Sequence, residues 1–206
     1  EGRALPVQTA GGRTLAASPR VPSMGWTTIR QGSQPAAEAA SLQAAPGSLE
    51  NEYLRVTLNA RGELTGIWDK QAALELTAGP CNALRLYKDV PSWFDAWDID
   101  SQYKHLPVPL EDDAEIEAVC AGPLEAVVRF KRRIHDSEFR QEIVLRAGSR
   151  RIDFRTEVEW REKHKLLKVN FPVAVRSERS LHEIQFGHLS RPTHASRPSD
   201  ASQFEV

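Results

Sequence analysis

The segment from Trp93 to Asp100, WFDAWDID, holds two tryptophans, a phenylalanine and three carboxylates within eight residues. An indole face covers apolar C–H surface, and a carboxylate accepts hydrogen bonds from hydroxyl groups. A sugar offers both kinds of surface, so the segment is a candidate sugar contact. Read as a strand, it places Asp95 and Trp97 on one face and Asp98 and Asp100 on the other. The competing reading is a tryptophan packed in a sheet, with the carboxylates holding a turn. Paired carboxylates also carry out glycoside hydrolysis, but only at a defined separation and with one raised pKa. Spacing alone supplies neither, and no catalytic residue is assigned here.

The histidines His182, His188 and His194 recur every six residues in LHEIQFGHLSRPTH. Zinc sites use closer pairs, such as two histidines four apart on a helix. Six-residue spacing on a strand followed by a proline-containing loop fits no such pattern, so no metal ligand is assigned. Arg191 lies between two of these histidines and suits a carboxylate or a sugar hydroxyl. His182 and Glu183 are adjacent, and adjacent strand residues point to opposite faces. The chain has no glycine-rich phosphate loop, no nucleophile elbow and no CxxC pair.

The elements that would position these residues are strands. In ENEYLRVTLNARGELTGIWDK, Leu54, Val56 and Leu58 alternate with Arg55, Thr57 and Asn59. NARGE is the turn, so this is a hairpin. TAGGRTL predicts another hairpin turn, and VPSMGWTTIR a strand after a proline-bounded turn. NALRLYKD predicts one strand. AEIEAVCAG and LEAVVRFKRRIHD predict a pair, and EFRQEIVLRAGSRRIDFRTEVEW two more. LLKVNFPVAV and LHEIQFGHLSRP close the series. Ile152, Phe154, Thr156, Val158 and Trp160 share a face, whereas Arg129, Lys131 and Arg133, or Glu157 and Glu159, predict a solvated one. No segment shows a long helical stripe. The expected fold is all-β, an antiparallel sandwich.

Composition narrows the function. The 206 residues suffice for one large domain, or a domain plus a fragment, and 40% are apolar. The 28 acidic and 27 basic residues leave a net charge of −1, which argues against a nucleic-acid partner. No run of about 18 apolar residues exists to span a membrane. Cys81 and Cys120 are too few for a disulfide framework and read as buried free thiols, which fits a cytoplasmic protein. Residues 32–47 have linker composition. The start at Glu1 and the finish on SQFEV look like cuts in a longer protein.

Four blocks carry a family resemblance: SLENEYLRVTLNARGELTGIWDKQA, NALRLYKDVPSWFDAWDID, WREKHKLLKVNFPVAV and EIQFGHLSRPTH. Their order over roughly residues 47–206 resembles the family 38 glycoside hydrolases, the α-mannosidases, most of all the bacterial and cytosolic-type branch. The resemblance implies a retaining, zinc-dependent parent whose nucleophile and zinc ligands lie outside this chain. It implies residues 1–31 as the tail of a small β-sandwich domain. Residues 32–47 are then the linker. Residues 48–206 become a β-supersandwich of galactose mutarotase-like type, incomplete at its C-terminal end. Its partners would be the catalytic and helical domains of the same parent and mannose-containing glycans.

Trp97 is then the first substrate-rim candidate, with Asp95, Asp98 and Asp100 in the same block. His188, Arg191 and His194 follow in the second rank. After RPTH the family continues with an Asn-Thr-Ser-Trp-Asp-like stretch, where this chain reads ASRPSD. A free-standing carbohydrate-binding module is the alternative, and a mutarotase-like enzyme using His182 and Glu183 the third. Open sheet edges predict self-association of the isolated chain.

Overall fold

The computed structural model describes residues 4–30, 32, 42–95, 97, 99–110 and 113–194. Asp98, one of the candidates, lies outside the described residues. Among those described the chain is all-β, every strand pairing is antiparallel, and the single helical piece is a 3-10 turn, Ser101–His105.

Hairpin β1 (Val7–Ala10) and β2 (Arg13–Ala16) turns at Gly11 and Gly12, both with positive φ, as a tight two-residue loop requires. The five-stranded sheet runs in chain order: β3 (Gln43–Ala45), β4 (Ser48–Glu50), β5 (Leu54–Leu58), β6 (Leu64–Asp69) and β7 (Leu74–Glu75). The three-stranded sheet places β8 (Ala83–Lys88) between β9 (Pro107–Val108) and β14 (Lys165–Asn170). The four-stranded sheet is a meander of β10 (Glu115–Ala121), β11 (Glu125–Ile134), β12 (Ser137–Arg146) and β13 (Ile152–Glu159). Hairpin β15 (Arg179–Ile184) and β16 (Gly187–Pro192) forms a two-stranded sheet of its own.

Period-two alternation explains the core. Leu54 and Val56 of β5, Phe130 and Val128 of β11, and Phe139, Ile143 and Leu145 of β12 are buried in one cluster with Leu84 and Leu86 of β8. Phe130 and Phe139 stack at 5.7 Å. Gly62, at φ 75, lets the β5–β6 turn pass over the Phe130 ring: a Cβ there would lie 2.7 Å from ring carbons. Paired hydrogen bonds between Leu64 and Cys81, at 2.8 and 2.9 Å, join the five- and three-stranded sheets. The fully buried Asn51 amide donates to the Arg146 and Ser149 carbonyls, both at 2.7 Å, and accepts from the Tyr53 and Leu54 amides. All four of its hydrogen-bonding positions are used, so a buried polar group becomes a clasp rather than a cost.

Three expectations need correction. The five-stranded sheet starts at Gln43, inside the expected linker 32–47, because Ala44 pairs with Leu49 and packs on the core. VPSMGWTTIR forms no strand: among the described residues, 21–30 pair with no other segment, and Val21, Trp26 and Ile29 are exposed. LHEIQFGHLSRP is a hairpin and not one strand, because Gln185 and Phe186 turn the chain back. The two cysteines are free, Cys81 fully buried and Cys120 partly so. Burial pushes both thiols up, away from the reactive thiolate.

Candidate functional site

The described residues of WFDAWDID form no strand, so the expected sharing of faces does not apply to them. It lies in an excursion, residues 89–106, that leaves β8 and returns as β9 on the same sheet. The base of this loop is closed. The Lys88 amide donates to the Leu106 carbonyl and the Asp89 amide to the His164 carbonyl, each at 2.9 Å.

The returning limb is pinned by the 3-10 turn. Asp100 caps it, its carboxylate accepting from the Gln102 amide at 2.9 Å. The buried side chain of that turn is Tyr103. Its ring meets Tyr87 of β8 edge-on at 5.1 Å. Its hydroxyl accepts from Lys168 Nζ of β14 at 2.7 Å, and the same ammonium lies 5.0 Å from the ring centroid. Two strands of the three-stranded sheet, β8 and β14, thus hold the loop through one tyrosine.

What this pinned loop presents is aromatic. Trp97 is 87% exposed, and Trp93 and Phe94 stand out beside it in sequence with Ile99. Trp97 is therefore no core residue. Its amide donates to the Phe94 carbonyl at 2.7 Å, closing a tight turn with Phe94 at φ 54. Asp95 is exposed on the same turn, and Asp100 serves as the cap. An exposed indole on a backbone fixed in this way is pre-organised to stack on a flat apolar surface.

The second-rank candidates do not converge. On β16, His188 opposes Glu183 and Arg191 opposes Ser180, which puts His188 and Arg191 on opposite faces of the hairpin. His182 also faces away from His188, and its Nε2 is 2.7 Å from Ser180 Oγ. His194 lies beyond the strand. Among the described residues no group of three His, Cys, Asp or Glu could hold a metal ion.

A depression of about 860 Å³ lies on the open face of the four-stranded sheet. Its floor is a ladder of charges in register: Glu117, Arg129, Glu142 and Arg155, at 3.0, 2.7 and 3.3 Å along the row. Arg155 also reaches Glu125 at 3.0 Å. Burial pushes the Glu142 carboxyl up, but the Arg129 and Arg155 guanidiniums outweigh it and hold the group below the usual range. Such carboxylates are ion-pair partners, the opposite of a carboxylic acid kept protonated for catalysis.

Alternation in the sequence signalled that face, and the aromatic block signalled the loop. Tyr103 and Lys168 went unnoticed, as did Gln8 of β1. Gln8 is buried against the β10–β11 turn: its amide accepts from the Leu124 and Glu125 amides, both at 2.9 Å, and donates to the Glu125 carbonyl at 2.8 Å. These contacts span long stretches of sequence and leave no local signal.

Comparison with known proteins gives the family. The family model described as the glycosyl hydrolases family 38 C-terminal domain matches residues 49–206. Human alpha-mannosidase 2C1 is 38% identical over 209 residues, covering 95% of this chain and 20% of that protein. Alpha-mannosidase G of Dictyostelium discoideum is 31% identical, covering 77% of this chain and 15% of that protein. An alpha-mannosidase structure from Enterococcus faecalis V583 superposes with a TM-score of 0.61 at 20% identity, over 81% of this chain and 22% of that one. The chain spans about a fifth of the length of the human and mouse relatives it matches. It belongs to glycoside hydrolase family 38, as the C-terminal domain of that family.

Proposed function

We propose that this chain is the non-catalytic β region of an α-mannosidase, which packs on the catalytic domain and lends Trp97 to the carbohydrate-binding rim. The observation that carries this reading is the pinned aromatic loop: an exposed indole held by a capped turn and the buried Tyr103. The family relationship supplies the enzyme class. The parent is a retaining, zinc-dependent exo-α-mannosidase hydrolysing terminal α-mannosides. The ion-paired carboxylates of the sheet face and the divergent histidines do not suit a catalytic acid or a zinc site. The nucleophile and zinc ligands are therefore assigned to the rest of the parent. Residues 1–31 are the tail of a preceding small β-sandwich. The larger sheets belong to a β-supersandwich of galactose mutarotase-like type.

In this arrangement the chain supplies shape and water exclusion. Trp97 covers the apolar face of the sugar, and Asp95 accepts from its hydroxyls. His188, Arg191 and His194 remain second-rank rim or domain contacts. The partners are the catalytic and helical domains of the same polypeptide and mannose-containing glycans. Among the described residues no helix is long and apolar enough to cross a membrane. The two free thiols suit a reducing compartment, and the cytoplasm is the assigned location.

The test is Trp97→Ala in the intact parent enzyme with an aryl α-mannoside. Loss of one stacking wall should raise KM by about tenfold with kcat changed far less, since uniform binding is what is removed. An unchanged KM would take Trp97 off the rim. Failure of the intact parent to cleave α-mannosides, or indifference to a zinc chelator, would overturn the enzyme class or its metal.

A further inference from the structure

We infer that two copies of this chain pair edge to edge along β13, antiparallel about Thr156, and so continue the four-stranded sheet across a two-fold axis. The inference goes beyond the sugar-rim reading and uses none of its residues.

β13 is the last strand of that sheet, and its outer edge meets no other strand among the described residues. The ladder fixes which backbone groups the edge presents. The Ala147 amide donates to the Leu124 carbonyl at 3.0 Å, in line with the β11–β12 pairing. Hydrogen-bonded pairs alternate along an antiparallel ladder, so Val128 with Ile143 and Phe130 with Gln141 are bonded pairs. Gln141 thus turns its backbone groups toward β11. Thr156, which faces Gln141 on β13, turns its own outward. Ile152, Phe154 and Val158 do the same by alternation. Such a row of donors and acceptors is a template for a further strand.

The side chains identify that strand as β13 itself. Reversed about Thr156, the segment IDFRTEVE is self-complementary, as a two-fold interface requires. On the charged side Arg155 of each copy faces the partner's Glu157. Glu157 is exposed and makes no ion pair among the described residues. The row Glu117, Arg129, Glu142 and Arg155 then runs on through the partner's Glu157 to the partner's Arg140, alternating in sign throughout. On the other side Phe154 faces the partner's Val158, and Ile152 the partner's Trp160. Val158 and Trp160 are both exposed in the single chain.

The one like-charge pair is Asp153 with the partner's Glu159. Each already has its own cation, Arg146 and Arg151 for Asp153 and Arg161 for Glu159. Sliding one step either way sets Arg155 against Arg155 or Glu157 against Glu157, which cross-strand pairing disfavours. A longer slide, to Asp153 against Arg155, shortens the pairing from residues 153–159 to 152–156.

The experiment is sedimentation velocity of the intact parent over a concentration series, wild type beside Glu157→Arg. Glu157 has no ion pair to lose within its own chain, so the variant should unfold at the wild-type temperature. It sets arginine against arginine twice across the axis and should weaken the dimer at least about tenfold. Arg155→Glu sets glutamate against glutamate and should weaken it likewise. An equimolar mixture of the two variants restores both opposite-charge pairs and should dimerise as the wild type does. Arg155 also holds Glu125 and Glu142. If Arg155→Glu does not fold, Thr156→Pro takes its place, because it removes an outward amide that only a partner strand uses. It too should weaken the dimer. A parent that stays monomeric at high micromolar concentration overturns the proposal, as does a dimer indifferent to Glu157→Arg or a mixture that stays apart. So does hydrogen-exchange protection of the Phe154, Thr156 and Val158 amides that does not rise with dimer formation, which assigns the edge to another segment of the same polypeptide. Activity on α-mannosides is not the readout, so failure of the rim reading leaves this result standing.

Discussion

The chain has a hairpin near each end of its described length, and the two handle the same weakness in opposite ways. Both are two-stranded and too small to be stable alone. Hairpin β1–β2 inserts Gln8 into the β10–β11 turn, where three backbone groups bond to its amide. Its turn uses Gly11 and Gly12 in the left-handed region, at little cost. Hairpin β15–β16 exposes Leu181, Ile184 and Leu189, and puts Phe186 in the left-handed position. One hairpin is finished within this chain, and the other carries surface that this chain leaves uncovered. The aromatic loop at 89–106 joins the first kind at its base, through Tyr103, and the second at its tip.

The sharpest way to break this contrast is to remove an internal anchor and see whether the anchored element then behaves like the bare one. Tyr103→Ala should have the largest effect, about 3–4 kcal/mol, because a buried aromatic is lost together with a hydrogen bond to Lys168. Tyr103→Phe keeps the ring packing against Tyr87 and should cost about 1 kcal/mol. Chemical denaturation measures both. Proteolysis of the alanine variant should shift toward 89–106, and equal resistance in all three proteins would mean that the loop is held elsewhere.

Gln8→Ala comes next. It leaves the Leu124 and Glu125 amides without their acceptor, at about 2–3 kcal/mol for the docked hairpin. The expected outcome is local: faster exchange over residues 7–16 and 122–125, with the Phe130–Phe139 core still protected. Gln8→Glu should fall between wild type and alanine, since a carboxylate can accept from both amides but cannot donate to the Glu125 carbonyl. If the alanine variant lowers protection in the core as much as in the hairpin, the two are one cooperative unit and the hairpin is no separate appendage.

These variants also show what sequence can and cannot carry. Strands β5, β6, β8, β10, β11, β12 and β13 were legible because each is a run of strand-forming residues between recognisable turns. The family was legible because four blocks fall in order. The segment WFDAWDID was legible as an aromatic and acidic block but not as a loop. Its geometry is set by the Asp100 cap and by Tyr103 meeting Tyr87 and Lys168, and Lys168 lies 65 residues away from Tyr103. Residues 21–30 misled in the other direction. Their composition suits a strand, but a strand also needs a neighbour to satisfy its backbone groups, and sequence does not say whether one is there. The Gln8 clamp spans 117 residues to Glu125, beyond any local pattern.

The smallest effect expected is that of acid, and it refines the contrast from another side. Hydrogen bonds from Arg55 and Lys70 to Glu50, and ion pairing that outweighs burial at Glu138, Glu142 and Asp153, lower these carboxyl pKa values in the folded chain. A lowered folded pKa adds stability above the unfolded value, near pH 4, and that stability is lost as pH falls through the folded value. These pairs are partly or fully exposed, so each should count for little and shrink in salt. Gln8 does not titrate, and its clamp should outlast the ladder. Between about pH 4 and pH 2, exchange should therefore quicken along β12 and β13 before it does over residues 7–16. Simultaneous loss of both would show that the hairpin and the sheet open as one unit, and that the Gln8 clamp does not outlast the ladder.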